Sequence, residues 1–191
     1  MNGNLAYQDP LREERIGGKV VAMSPRPSVN HNRVASNIFW VFETYLRKKK
    51  KCVPFADGTD LYLDEENHFV PDFMIVCDPD KIKTDGVFGA PDLVVEILFP
   101  STAKNDKTVK KETYARCGVR EYWLVDPESK VLEVYYNQGG DLVLHDVYAV
   151  HPEWSLAQMS EKERAEVVTQ FKCSLYNDLD ISLDDIFYRT F

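Results

Sequence analysis

The chain has 191 residues, enough for one sizeable core and little room for a second. Hydrophobic residues make up 44% and charged residues 28%, ordinary for a soluble globular protein, and no apolar run approaches the ~20 residues that cross a membrane. Twenty-three Lys and Arg against 31 Asp and Glu give a net charge of −8, which excludes strong, indiscriminate nucleic-acid binding, because phosphate neutralisation drives that process.

In chain order, GGKVVAM (17–23) reads as a short strand that SPRPS (24–28) breaks. In VNHNRVASNIFWVFETYLRKKKK (29–51), Val34, Ile38, Val41, Phe42 and Tyr45 recur at helical spacing and predict a long helix. Its basic end, RKKKK (47–51), suits the helix dipole, which explains those charges as well as a phosphate-binding role does. DLYLD (60–64), HFVPDFMIVCD (68–78) and PDLVVEILF (91–99) are strand-like runs separated by turn residues. PSTAKNDKTVKKETYARCG (100–118) reads as a helix capped by Ser101 or Thr102 and closed by Gly118. VREYWLVDPESKVLEVYYNQGGDLVLHDVYAV (119–150) is a β-meander turning at DPES and NQGG, with Tyr122 and Trp123 in a core strand. The terminal LDDIFYRTF is apolar enough to dock on the body.

The architecture expected is α/β (α+β): a single domain over residues 1–191, with a central mixed β-sheet flanked by the two helices. The N-terminus has no basic start followed by an apolar block, so no secretory signal is visible. Cys52, Cys77, Cys117 and Cys173 stand singly, without metal-ligand spacing, and read as reduced core residues of a cytoplasmic protein.

Glu96 sits in the middle of the apolar run PDLVVEILF, where a carboxylate is costly unless something pairs with it. Asp92 shares its strand face but lies four residues away, roughly 13 Å at ~3.3 Å per residue, too far for one ion to bridge. Asp92 follows a proline and reads as a turn residue. Asp72, another acid in an apolar run, is the better partner, because neighbouring strands lie only about 4.8 Å apart. Two carboxylates that close repel unless a cation sits between them, and Mg²⁺ needs only one or two carboxylates beside its waters. On the helix that follows, Lys107, Lys110, Lys111 and Tyr114 fall at i, i+3, i+4 and i+7 and share a face. Two carboxylates, a metal and an ammonium suit phosphodiester hydrolysis. Spacing alone favours a salt bridge or a solvated face over metal chemistry.

VPDFMIV, then APDLVVEILFPST, then DKTVKKETYARCGVREYWLVDP closely resembles the Uma family of putative restriction endonucleases, a branch of the PD-(D/E)XK nuclease superfamily. EERIGGKVVAMSPRPSVNH resembles that family's opening segment and LDISLDDIF its ending, so the likeness covers nearly the whole chain. The resemblance implies a restriction-endonuclease-like core in which Asp72 and Glu96 are the motif acids and the Ile97 carbonyl completes the metal shell. Leu98 stands where many superfamily members place lysine, and the implied replacement is Lys110 in D-x-x-x-K-x-x-x-Y, spanning Asp106 and Tyr114. Lys107 and Lys111 are its reserves and phosphate contacts, and Glu14 assists metal binding or orients a water. His31, near the start of the long helix, is assigned a local capping or packing role.

These implications favour an endonuclease that cleaves DNA with Mg²⁺, Mn²⁺ being able to substitute, and that works as a homodimer. The competing reading is a nuclease-like scaffold without activity, serving as a nucleic-acid-binding or regulatory module, to which the acidic balance and Leu98 point. A small protein-interaction domain with incidental salt bridges is the third, and a sheet turning Asp72 and Glu96 to opposite faces would favour it.

Overall fold

Ser28 starts the long helix Val29–Lys49: its hydroxyl accepts the His31 amide at 3.1 Å, and Lys50 ends the helix with φ 53°. Val34, Ile38, Phe42 and Leu46, spaced by four, make its buried stripe, whereas Trp40 on another face is 63% exposed. The basic last turn suits the dipole, and two of its cations are engaged on the surface, Arg47 with Glu43 and Lys49 with Asp178, each at 2.6 Å. A computed structural model describes residues 13–22 and 26–191, so Met23, Ser24 and Pro25 of the first expected strand and its breaker lie outside the described residues.

The strands run β1 (Glu13–Ile16), β2 (Lys19–Ala22), β3 (Val53–Ala56), β4 (Leu61–Tyr62), β5 (His68–Phe69) and β6 (Phe73–Val76). They continue as β7 (Ile82–Lys83), β8 (Gly86–Phe88), β9 (Leu93–Ile97), β10 (Glu121–Asp126), β11 (Val131–Gln138) and β12 (Asp141–Ala149). The central sheet has the order β12-β11-β10-β9-β6-β3 and is mixed, with β9 and β10 parallel and the other pairs antiparallel. The long helix covers one face of it, as expected.

A second six-stranded sheet, β2-β1-β5-β4-β8-β7, was not foreseen. It arises because 68–78 is two strands rather than one. Pro71 has no N–H to give a ladder, so the run breaks there; β5 joins the second sheet and β6 the central one. Asp72 is left at the break.

Parallel neighbours cannot be joined by a tight turn, so β9 reaches β10 through the lysine-bearing helix. That segment is helical at Ala103–Asn105, π-helical at Asp106–Lys110, and α-helical at Lys111–Cys117, ending at Gly118 with φ 95°. Thr102 occupies the cap position, but its hydroxyl donates to the Phe99 carbonyl instead of capping the helix. The wider π turn shifts the phase of the helix, so the expected common face of Lys107, Lys110, Lys111 and Tyr114 is split. Lys110 and Tyr114 are buried, while Lys107 turns outward.

The meander turns where expected, with Asp126 Oδ1 accepting the Glu128 and Ser129 amides and Gly139 and Gly140 at positive φ. Tyr122 and Trp123 of β10 are fully buried on opposite faces of the sheet. The tail docks on the long helix: Asn37 Nδ2 donates to the Ile186 and Tyr188 carbonyls at 3.0 and 2.9 Å, and Asn30 Nδ2 to that of Phe191 at 2.9 Å.

The cysteine expectation is corrected. Cys52 and Cys77 are joined as a disulfide, with Cα atoms 4.1 Å apart, because Val53 pairs with Val76 and places these two cysteines opposite each other. Cys117 and Cys173 are free thiols.

Candidate active site

Phe73 pairs with Val95 across β6 and β9, so the next step along that antiparallel register sets Asp72 beside Glu96. Facing positions on neighbouring strands tend to share a side, and the Asp72 charge acts on the Glu96 carboxyl. Asp72 is held from two elements. Its Oδ2 accepts the Ile97 amide at 2.6 Å, and its Oδ1 lies 3.3 Å from His31 Nε2. Asp92, by contrast, accepts the Cys77 amide at 2.8 Å and meets Arg120 at 3.4 Å, which is structural work at the other end of the strand.

Glu96 is 3% exposed and Lys110 4%. The π turn aims Lys110 inward, where its Nζ lies 2.7 Å from Glu96 Oε1, 3.0 Å from Glu14 Oε1 and 3.5 Å from Asp106 Oδ1. Tyr114, one turn on, donates to the same Glu96 oxygen at 2.7 Å. Glu14 enters from β1, and its Oε1 also accepts the Val70 amide at 3.0 Å. The second sheet therefore supplies part of the site. Asp106 and Tyr114 are the members to which sequence reasoning gave no role of their own; their place in D-x-x-x-K-x-x-x-Y was the available signal.

Burial, reinforced by Asp106, Asp72 and Glu14, pushes the Glu96 carboxyl well above the usual carboxylate range although Lys110 pulls it down. Burial raises Asp106 as well, again against Lys110. Desolvation alone would lower Lys110, but Glu96, Glu14 and Asp106 outweigh it and hold the ammonium well above an ordinary lysine. Lys110 is thus a fixed cation in a cluster where acids outnumber bases. Such a cluster favours retaining a proton until another cation arrives.

That imbalance bears on a metal. Among the described residues no three His, Cys, Asp or Glu side chains form a ready-made cage, but Mg²⁺ keeps several waters and takes one or two carboxylates. The donors that meet here are hard oxygens, and in the contacts above Glu96 and Glu14 use only Oε1. The residues fit a hard divalent cation. Ile97 donates its amide to Asp72 Oδ2 at 2.6 Å.

The expected phosphate contacts are engaged elsewhere. Lys107 Nζ is 3.7 Å from Glu133, and Lys111 Nζ lies 3.8 Å above the Tyr135 ring. His31 takes part in the helix cap through its backbone amide, as expected, and its buried side chain also lies 3.3 Å from Asp72 Oδ1. The basic run 47–51 lies at the far end of the long helix, some 25 Å from His31 at 1.5 Å per residue, and is not part of this site.

The family model described as "Putative restriction endonuclease", Uma2, matches residues 5–165. The chain belongs to the Uma2 family. A similar sequence is the Synechocystis sp. (strain ATCC 27184 / PCC 6803 / Kazusa) "Uncharacterized protein slr1290", 28% identical over 144 residues that cover 73% of this chain and 75% of the relative. The fold is that of a solved structure from Anabaena variabilis ATCC 29413, titled a putative nuclease belonging to DUF820. The TM-score is 0.68 at 20% identity, covering 92% of this chain and 89% of the other. Membership in Uma2 and this nuclease-like fold support a nuclease. No helix among the described residues is long and apolar enough to cross a membrane.

Proposed function

We propose that the protein is a Mg²⁺-dependent endodeoxyribonuclease, with Mn²⁺ able to substitute. Asp72, Glu96 and the Ile97 carbonyl would hold the ion, with Glu14 beside them. The observation that carries this reading is the buried contact of Lys110 with Glu96 at 2.7 Å, one register step from Asp72. The chemistry such an ion would supply there is a lowered pKa of a coordinated water and an offset to charge on phosphorus. Lys110, held as an ammonium by three acids, serves as an electrostatic group that stabilises developing anionic charge and orients water, not as a proton acceptor. Tyr114 keeps Glu96 in place. Lys107 and Lys111 would approach phosphate by leaving Glu133 and Tyr135. A homodimer would bring two such sites to the two strands of a duplex.

Plasmid nicking by purified protein with Mg²⁺ or Mn²⁺ tests this beside Asp72→Ala and Lys110→Ala. Cleavage by the wild type alone is expected, and equal activity in all three defeats the assignment. A nuclease-like scaffold without activity remains the second reading, favoured by the saturation of Lys110 by three acids. Calorimetric titration with Mn²⁺ separates the two: a site abolished by Glu96→Ala counts against the scaffold.

A further inference from the structure

His31 occupies the third position of the long helix, and Ser28 fixes where that helix starts. The helical spacing that sends Val34 and Ile38 into the core points His31 toward the same sheet, but one turn nearer the strand ends. There the sheet offers the Asp72 carboxylate in place of an apolar side chain. His31 is only 8% exposed, a costly position for a polar ring with nothing to hold.

Its nitrogens divide unequally. Nε2 lies 3.3 Å from Asp72 Oδ1, whereas Nδ1 is buried with no hydrogen-bond partner. A ring carrying its only hydrogen on Nδ1 would waste that donor and turn a lone pair on the carboxylate. The hydrogen therefore belongs on Nε2, facing Asp72. That acceptor is the side-chain oxygen assigned above to the metal. It has more than one lone pair, so a hydrogen bond to His31 leaves one for an ion. Asp72 is gripped on its other oxygen by the Ile97 amide at 2.6 Å, and the two contacts together fix how the carboxyl is turned.

We infer that His31 is a positioning residue that holds Asp72 in the orientation required for a divalent cation. The inference rests on the proposed metal-dependent function. Partners behind metal ligands typically change affinity 10–100-fold when removed, without touching the ion themselves.

The test is calorimetric titration of Mn²⁺ into the full chain as wild type, His31→Gln, His31→Asn and His31→Phe, with the unfolding midpoint of each. Gln keeps an N–H at nearly the reach of Nε2 and should retain most of the wild-type affinity. Asn is too short and Phe has no donor, so both should weaken Mn²⁺ binding by about 10–100-fold. If the Phe variant does not fold, the Gln–Asn pair decides, since both are amides differing by one methylene. A merely structural role would make affinity follow the unfolding midpoint, with no rescue by Gln. Wild-type affinity in the Asn or Phe variant overturns the positioning role alone. A wild-type protein that binds no Mn²⁺ instead removes the metal reading on which it stands.

Discussion

Lys110 and Tyr114, one helical turn apart, converge on a single oxygen, Glu96 Oε1, each at 2.7 Å. A strand acid is thereby gripped by two groups from the crossover that follows it. The π turn at Asp106–Lys110 immediately precedes this meeting and sets the inward course of the lysine.

Tyr114→Phe deletes only the hydroxyl of that grip. Because its acceptor is a buried carboxyl, the loss should be about 1.5–3 kcal/mol in urea unfolding, with a reduced cleavage rate. Tyr122→Phe removes a hydroxyl that donates to the Asp106 carbonyl at 2.9 Å, a neutral acceptor, and should cost only about 1 kcal/mol.

Lys110→Met leaves Glu96, Glu14 and Asp106 without their common cation. Breaking a buried ion cluster this way costs about 3–5 kcal/mol. Adding Glu96→Gln to Lys110→Met should recover part of it. A double-mutant cycle by denaturant unfolding measures the coupling.

The Cys52–Cys77 disulfide spans 25 residues of sequence. On the chain-entropy account a loop of that size contributes about 3.5 kcal/mol, so a reductant, or Cys52→Ser with Cys77→Ser, should lower the guanidinium midpoint accordingly. Thiol titration of the unfolded, unreduced chain should count two free cysteines.

Asp178 pairs with Lys49 at 2.6 Å and accepts from Tyr45, and these contacts lower its carboxyl to about 2. A depressed folded value means the stabilisation is present above the ordinary value of 3.8 and is lost as pH falls toward 2. Carbon NMR of the Asp178 carboxyl should give a midpoint near 2, moved upward by Lys49→Met and by added salt, since the pair is exposed.

Phe42 is buried against Phe73 and Trp123, with ring centroids at 5.3 and 5.8 Å. Phe42→Ala should cost about 3–5 kcal/mol, whereas Trp40→Ala, two residues away and 63% exposed, should change stability by roughly 0.5 kcal/mol or less. Thermal or urea unfolding distinguishes the two faces of the helix.

The long helix, β9 and the β10–β12 meander were legible because their patterns run long enough to reveal a period. The second sheet was not. Its strands β4, β5 and β7 have two residues each, too few for alternation, and its order joins segments far apart in the chain. The π turn left no mark in the i, i+3, i+4 spacing, so the lysines appeared to share a face that the wider turn divides.

Residue identity along the chain determined by itself that two acids would lie in apolar segments, that a lysine-bearing helix would follow the second, and which family their order matches. Tertiary structure decided that Lys110 rather than Lys107 or Lys111 meets Glu96, that Glu14 reaches Lys110 and His31 reaches Asp72, and that Cys52 finds Cys77. The reason is physical: local spacing dictates the face on which a side chain leaves its own element, whereas the partner it meets depends on strand register and helix phase. Those are fixed only when distant segments pack together.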